Sequence, residues 1–150
     1  MERFTESNCD LTWWKVVSWK PRIFLYRGFL SPEECDHIIS IGEPHVQRSQ
    51  VVGAKGNAVV SEHRTSYGTF LTRQARTDPI LKSISKRIEQ WTQLPESHGE
   101  AFYLLRYQLG QEYKAHMDWF SEEKVKTMKE GNRIATVLMY LSDVEEGGET

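Results

Sequence analysis

The run "IATVLMYL", residues 134–141, constrains the fold more than any other part of this 150-residue chain. It is apolar on both faces, and its length suits a strand better than a helix. As a strand it has to be central, with neighbours on both edges and a covering layer on each side. Left open, such a segment presents unpaired backbone edges and apolar surface, both of which promote aggregation. The rest of the chain therefore has to supply strands beside it and helices over it.

Both are legible upstream. "VVSWKPRIFLYRGFL" (16–30) is rich in β-branched and aromatic residues and reads as an extended segment with an edge or bend at Pro21. "SPEECDHIISIGEPH" (31–45) is a helix: Ser31 suits the N-cap, Pro32 the first helical position, and Glu33 and Glu34 the positive end of the dipole. Its stripe is Cys35, Ile38, Ile39 and Gly42, with Pro44 beyond its end. "SQVVGAKGNAVVSEHRTSYGTFL" (49–71) gives β-rich pieces about a turn from Gly53 to Gly56. "TDPILKSISKRIEQWTQLP" (77–95) is a second helix, capped by Thr77 or Asp78, with Ile80, Leu81, Ile84, Ile88 and Trp91 forming a core-facing stripe. Strands are then predicted in "EAFYLLRYQLG" (100–110), "QEYKAHMDWF" (111–120) and "RIATVLMYLSDVEEGG" (133–148). The intervening "SEEKVKTMKEGN" reads as a mobile loop or frayed helix. Helices followed by a run of strands predict an α+β or helix-decorated β domain over residues 16–150, preceded by an N-terminal extension, 1–15.

Several classes of function are disfavoured at this level. Nineteen basic and 21 acidic residues are mixed along the chain with no basic block, so nucleic acid is not an expected partner. Cys9 and Cys35 make neither a disulfide framework nor a zinc cluster. No apolar run approaches the roughly 20 residues that span a bilayer, and "MERFTESNCDLTWW" lacks the apolar centre of a signal peptide. On these grounds a soluble chain with no membrane segment is expected.

The candidate chemistry lies in "EYKAHMDWF". Residues i and i+2 of a strand share a face, so His116 and Asp118 converge while Met117 points away. An imidazole and a carboxylate, joined by a second imidazole, form the facial set that binds non-haem Fe(II) and leaves positions open. On the pair alone a surface His–Asp pairing ranks ahead of a metal site, and none of the other histidines, His37, His45, His63 and His98, follows it.

Context decides between these readings. "RTSYGTFL" (64–71), "LLRYQLGQEYKAHMDWF" (104–120) and "RIATVLMYLSDVEEGGET" (133–150) resemble, in order and spacing, the prolyl 4-hydroxylases of plant and algal type. "SWKPRIFLYRGFLSPEECDHIIS" is similar to that family's entry segment, so the resemblance covers about residues 16–150. It implies a double-stranded β-helix (jelly-roll) core with N-terminal helices packed on the sheet. It implies Fe(II), 2-oxoglutarate as cosubstrate, and ascorbate to restore iron that leaves the cycle. His116 and Asp118 match the first two iron ligands. Tyr107 and Thr150 match residues of the 2-oxoglutarate pocket, and Tyr113 a tyrosine beside the reacting proline. Arg64 and Ser66 match peptide-contacting positions, with Glu100 near the same groove.

The implied reaction hydroxylates peptidyl proline at C4 with dioxygen and 2-oxoglutarate, giving succinate and carbon dioxide. The implied substrate is a proline-rich peptide or a secreted hydroxyproline-rich precursor, and the implied compartment is the endoplasmic reticulum or Golgi. The third ligand histidine and the basic partner of the 2-oxoglutarate carboxylate belong, by the resemblance, after "GGET". The expectation is therefore a C-terminally incomplete jelly roll, inactive alone. The alternative is a non-catalytic remnant that binds proline-rich peptide through Arg64, Ser66 and Tyr113.

Overall fold

A computed structural model describes residues 14–52, 58–72, 77–128 and 131–150. The turn expected from Gly53 to Gly56, Cys9 and most of the N-terminal extension lie outside the described residues. The chain opens with a hairpin of β1 (Trp14–Trp19) and β2 (Arg22–Tyr26). The segment expected as one bent strand is thus two antiparallel strands, turned at Lys20–Pro21 and paired from Trp14↔Tyr26 to Trp19↔Arg22. Proline ends the first strand because it has no N–H to give to the ladder.

Helix α1 (Pro32–Gly42) starts where its caps dictate. The Glu34 N–H donates to Ser31 Oγ (3.2 Å) and the Ser31 N–H donates to Glu34 Oε2 (3.0 Å), a reciprocal capping box. Helix α2 (Pro79–Thr92) is capped by Asp78, whose Oδ1 accepts from the Ile80 and Leu81 N–H groups at 2.9 and 3.0 Å. The two starts are tied to their surroundings by ion pairs. Asp78 Oδ2 lies 2.7 Å from His37 Nε2 on α1, and Glu34 Oε1 accepts from Arg87 Nη2 of α2 at 2.6 Å. Arg87 also donates to the Phe29 carbonyl (2.9 Å) and lies over the Phe29 ring.

A three-stranded antiparallel sheet runs β3 (Gln47–Arg48), β6 (Tyr67–Phe70), β7 (Tyr103–Arg106), with β6 and β7 in register from Tyr67↔Arg106 to Phe70↔Tyr103. A separate pair joins β4 (Val51–Val52) to β5 (Ala58–Val59). The core lies between the helices and this sheet: Phe29, Ile38, Leu71, Leu81, Ile84 and Leu104 are buried. Each of the larger aliphatic side chains contributes about 1.5–3 kcal/mol when enclosed. Of the predicted stripes, Ile38, Leu81 and Ile84 are buried, and Ile80, Ile88 and Trp91 pack against the cluster. Tyr26, Phe29 and Trp91 form an aromatic triangle with centroids 5.1–5.7 Å apart, joining the hairpin's end to α2.

The C-terminal third departs from expectation. "QEYKAHMDWF" forms no strand, only a single bridge between Tyr113 and Arg64. The charged loop contains a one-turn helix, α3 (Glu122–Val125). Residues 133–148, expected as the central strand, belong to no sheet. Nor is the run buried on both faces, as expected: Val137, Met139 and Leu141 are half-buried, while Ile134, Leu138 and Tyr140 are exposed. Met139 and Leu141 pack against the core. The reason is that a run apolar on both faces does not specify its own neighbours, and a strand exists only where a neighbouring backbone exchanges hydrogen bonds. Among the described residues none lies beside this one. The fold is α+β with small antiparallel sheets, and among the described residues no helix is long and apolar enough to cross a membrane.

Candidate functional site

Two segments far apart in sequence are zipped together to make the site. The Thr65 N–H donates to the Glu112 carbonyl (2.8 Å), the Glu112 N–H returns to Thr65 Oγ1 (2.7 Å), and the Lys114 N–H donates to the His63 carbonyl (2.9 Å). Residues 63–65 and 112–114 therefore run side by side, and Arg64 faces Tyr113 across the bridge. The Arg64 guanidinium sits over the Tyr113 ring at 4.7 Å and over Tyr103 of β7 at 5.1 Å, cation–π contacts on two sides. Its Nη1 donates to the Gln50 carbonyl (3.2 Å), while its Nε–H, shielded from solvent, finds no acceptor among the described residues. Tyr113 in turn stacks on His116, with centroids 3.6 Å apart and planes 20° from parallel. The result is a column, Tyr103, Arg64, Tyr113, His116.

His116 and Asp118 do converge, as the i, i+2 spacing implied, although the backbone is irregular there. His116 Nε2 lies 3.2 Å from Asp118 Oδ1. His116 Nδ1 is 2.8 Å from the Lys114 carbonyl. A carbonyl only accepts, so Nδ1 carries the hydrogen. Nε2 is then left facing the carboxylate, and a backbone-held imidazole with Nε2 outward is the arrangement metal-binding histidines adopt. The other carboxylate oxygen, Asp118 Oδ2, accepts from Thr136 Oγ1 at 2.5 Å. Two electron-rich donors held side by side at half-exposed positions fit a divalent cation such as Fe(II). Among the described residues no group of three His, Cys, Asp or Glu side chains gathers at one point.

Glu100 reaches the same region through Arg133. Arg133 Nε and Nη2 donate to its two carboxylate oxygens at 2.5 and 2.7 Å, and Nη1 reaches the Asp118 carbonyl at 3.3 Å. Arg133's hydrogen bonds hold the Glu100 carboxyl below the usual carboxylate range, and Glu100 in return makes the guanidinium hold its proton more firmly. Arg133 also lies over the Phe120 ring (4.8 Å), whose backbone N–H and carbonyl are clasped by the Asn132 side chain at 2.8 and 3.0 Å.

The remaining expected residues are placed otherwise. Ser66 is fully enclosed; its hydroxyl donates to Ser49 Oγ (3.1 Å), which lies 3.2 Å from the Tyr103 hydroxyl. It supports the Tyr103–Arg64 column from below and offers no surface of its own. Tyr107 follows β7 and is half-exposed, and Thr150 Oγ1 lies 2.6 Å from the Tyr140 hydroxyl. The chain folds back there through Gly147 and Gly148, both at positive φ, where glycine carries no side-chain penalty. No hydrogen bond joins Tyr107 or Thr150 to the His116–Asp118 pair among the described residues. Among the described residues His63 contributes its backbone alone, and His37 serves the helix junction.

Sequence reasoning missed Arg133, Thr136, Asn132 and the Lys114 carbonyl. Arg133 and Thr136 carried a signal, being polar residues at the head of, and within, an otherwise apolar run. The carbonyl carried none.

Comparison with known proteins bears on this arrangement directly. Residues 102–150, which hold Tyr107, Tyr113, His116, Asp118, Arg133 and Thr136, match the family model of the 2OG-Fe(II) oxygenase superfamily. Over 139 residues, 92% of the chain is aligned at 50% identity with probable prolyl 4-hydroxylase 3 of Arabidopsis thaliana, covering 47% of that protein. Prolyl 4-hydroxylase 5 of the same plant is 48% identical over the same shares. Prolyl 4-hydroxylase 2 is 49% identical over 137 residues, 91% of this chain and 45% of its own. The chain thus spans about half the length of the curated relatives it matches. With that identity along nearly all of its residues, and with a His–Asp donor pair inside the matched superfamily segment, the chain is a relative of the plant prolyl 4-hydroxylases over the half of them that it spans.

Proposed function

We propose that this chain carries part of the machinery for hydroxylating peptidyl proline at C4, with the His116–Asp118 edge as its metal-binding side. The observation that carries the reading is the pairing of Nε2 and Oδ1 with their far atoms already engaged, on Lys114 and Thr136. Fe(II) and 2-oxoglutarate, when bound, would supply the oxidation of proline C4 by dioxygen, with succinate and carbon dioxide as co-products. The protein's residues position the reactants and protect the site. In this reading Tyr107 and Thr150 hold 2-oxoglutarate, and Tyr113 lies beside the proline with Arg64. Glu100, held by Arg133, borders the peptide groove, and Ser66 supports it from beneath. An extended proline-rich segment suits such a surface because its polyproline conformation leaves little ordering cost. The family resemblance further supports ascorbate as an accessory reductant, a jelly-roll core, and work on secreted hydroxyproline-rich precursors in the endoplasmic reticulum or Golgi.

For the isolated 150-residue polypeptide we propose negligible turnover, since one imidazole and one carboxylate hold iron weakly. Peptide binding without chemistry is the second reading, favoured for that polypeptide by the Arg64–Tyr113 surface. The test combines anaerobic Fe(II) and 2-oxoglutarate titration, followed by visible absorbance, with an aerobic assay for succinate and 4-hydroxyproline on a proline-rich peptide. An iron–oxoglutarate absorbance lost in His116→Ala, with almost no hydroxyproline, is expected. Peptide binding without that absorbance favours the second reading. Coupled succinate and hydroxyproline at a full-length relative's rate overturns the claim of negligible turnover.

A further inference from the structure

We infer that Thr136 is the positioning residue that aims Asp118 at the metal, an inference that rests on the metal-site reading above. A carboxylate on a short side chain rotates about its terminal bond, so either oxygen can be presented unless one is held. Here Thr136 Oγ1 donates to Oδ2 at 2.5 Å, which leaves Oδ1 turned toward His116 Nε2 at 3.2 Å. His116 is fixed by the same logic from the other side, through Nδ1 on the Lys114 carbonyl. Each donor thus has its far atom held, and among the described residues the side chain that does this holding is Thr136.

The placement of Thr136 gives this hydrogen bond a wider meaning. It lies in the segment that Arg133 pins by its bonds to Glu100 and the Asp118 carbonyl, and that Met139 and Leu141 fasten to the core. The orientation of Asp118 therefore depends on residues 133–141 being seated. Thr136 itself is exposed, and its side chain is engaged by Asp118 rather than by the core. Removing a hydrogen bond that orients a metal ligand typically weakens metal binding by about 10–100-fold.

The probe is Mn(II) alone, added to the full chain and followed by the electron paramagnetic resonance signal of the free ion. Thr136→Val keeps the shape and removes the hydroxyl; Thr136→Ser keeps the hydroxyl and removes the methyl. Thr136→Val is expected to weaken Mn(II) binding by about 10-fold or more, with Thr136→Ser retaining most of the wild-type affinity. If Thr136→Val binds Mn(II) as wild type does while Asp118→Asn abolishes binding, the positioning role is overturned and the metal site stands. If Thr136→Ser is as weak as Thr136→Val, the methyl and not the hydrogen bond matters, which also overturns it. If wild type and Asp118→Asn bind Mn(II) alike, the metal reading itself falls, and the inference with it.

Discussion

Gly42 is the last residue of α1 and the point where that helix meets β7. A β-carbon added there would overlap Leu104 Cδ2 and come within 3.2 Å of Leu71 Cδ2 and 3.5 Å of Leu104 Cβ. Leucine side chains rotate, but these two are enclosed, Leu71 at 1% and Leu104 at 8% exposed, so neither has free volume to enter. Two effects of Gly42→Ala oppose each other. Alanine is preferred to glycine in a helix by up to about 1 kcal/mol, and by less at a helix end. Overpacking a closed core costs about 1–3 kcal/mol. The clash wins, and Gly42→Ala is expected to destabilise the chain by about 1–2 kcal/mol. Urea unfolding followed by circular dichroism checks this as a lower midpoint at unchanged slope. Trimming the obstacle sharpens the test, because Gly42→Ala should cost less in a Leu104→Ala background than alone. A midpoint at or above wild type, or strict additivity with Leu104→Ala, refutes a van der Waals contact between α1 and β7 through Gly42. The consequence for the site is direct, since β7 carries Tyr103 and leads into residues 107–118.

The junction between α1 and α2 predicts a pH response. Burial alone would raise the Asp78 pKa, but the hydrogen bonds from Leu81, His37 and Ile80, with the charge on His37, outweigh it and hold the group below its ordinary 3.8. A depressed folded value means stability present above the unfolded pKa and lost as the pH falls through the folded one. Asp78→Asn keeps the cap but cannot titrate, so its stability should fall less steeply than wild type below about pH 4; identical slopes in acid unfolding would remove Asp78 from the account. Arg64→Ala removes the cation between Tyr103 and Tyr113 and should weaken binding of a labelled proline-rich peptide by about 5-fold or more, whereas His116→Ala should leave peptide affinity nearly unchanged. Equal losses in the two variants, read by fluorescence anisotropy, would count against a peptide surface separable from the metal donors.

The helices were legible because their information is local. Ser31 with Glu34, and Asp78 ahead of Pro79, satisfy N–H groups within three residues, so caps read from the sequence are the caps found. The apolar stripe of α2 turned inward for the same reason. The hairpin was read as one strand because Pro21 signals an interruption without saying that the chain reverses. The run 134–141 was expected as a paired strand covered on both faces; among the described residues it pairs with no neighbour, and only Val137, Met139 and Leu141 are partly buried, since pairing and covering belong to two segments and not to one.

The site divides along the same line. His116 and Asp118 converge because they are two residues apart, and short-range geometry suffices to place them together. The motifs around them were also enough to recognise the family. Tertiary structure alone decided that Ser66 is buried beneath Tyr103 through Ser49, that Arg133 takes both oxygens of Glu100, and that Thr136 holds Asp118. Those partners are 17 to 54 residues apart. At such separations no periodicity or spacing rule reports who meets whom, because the contact is set by how the packed helices and strands bring distant backbone together.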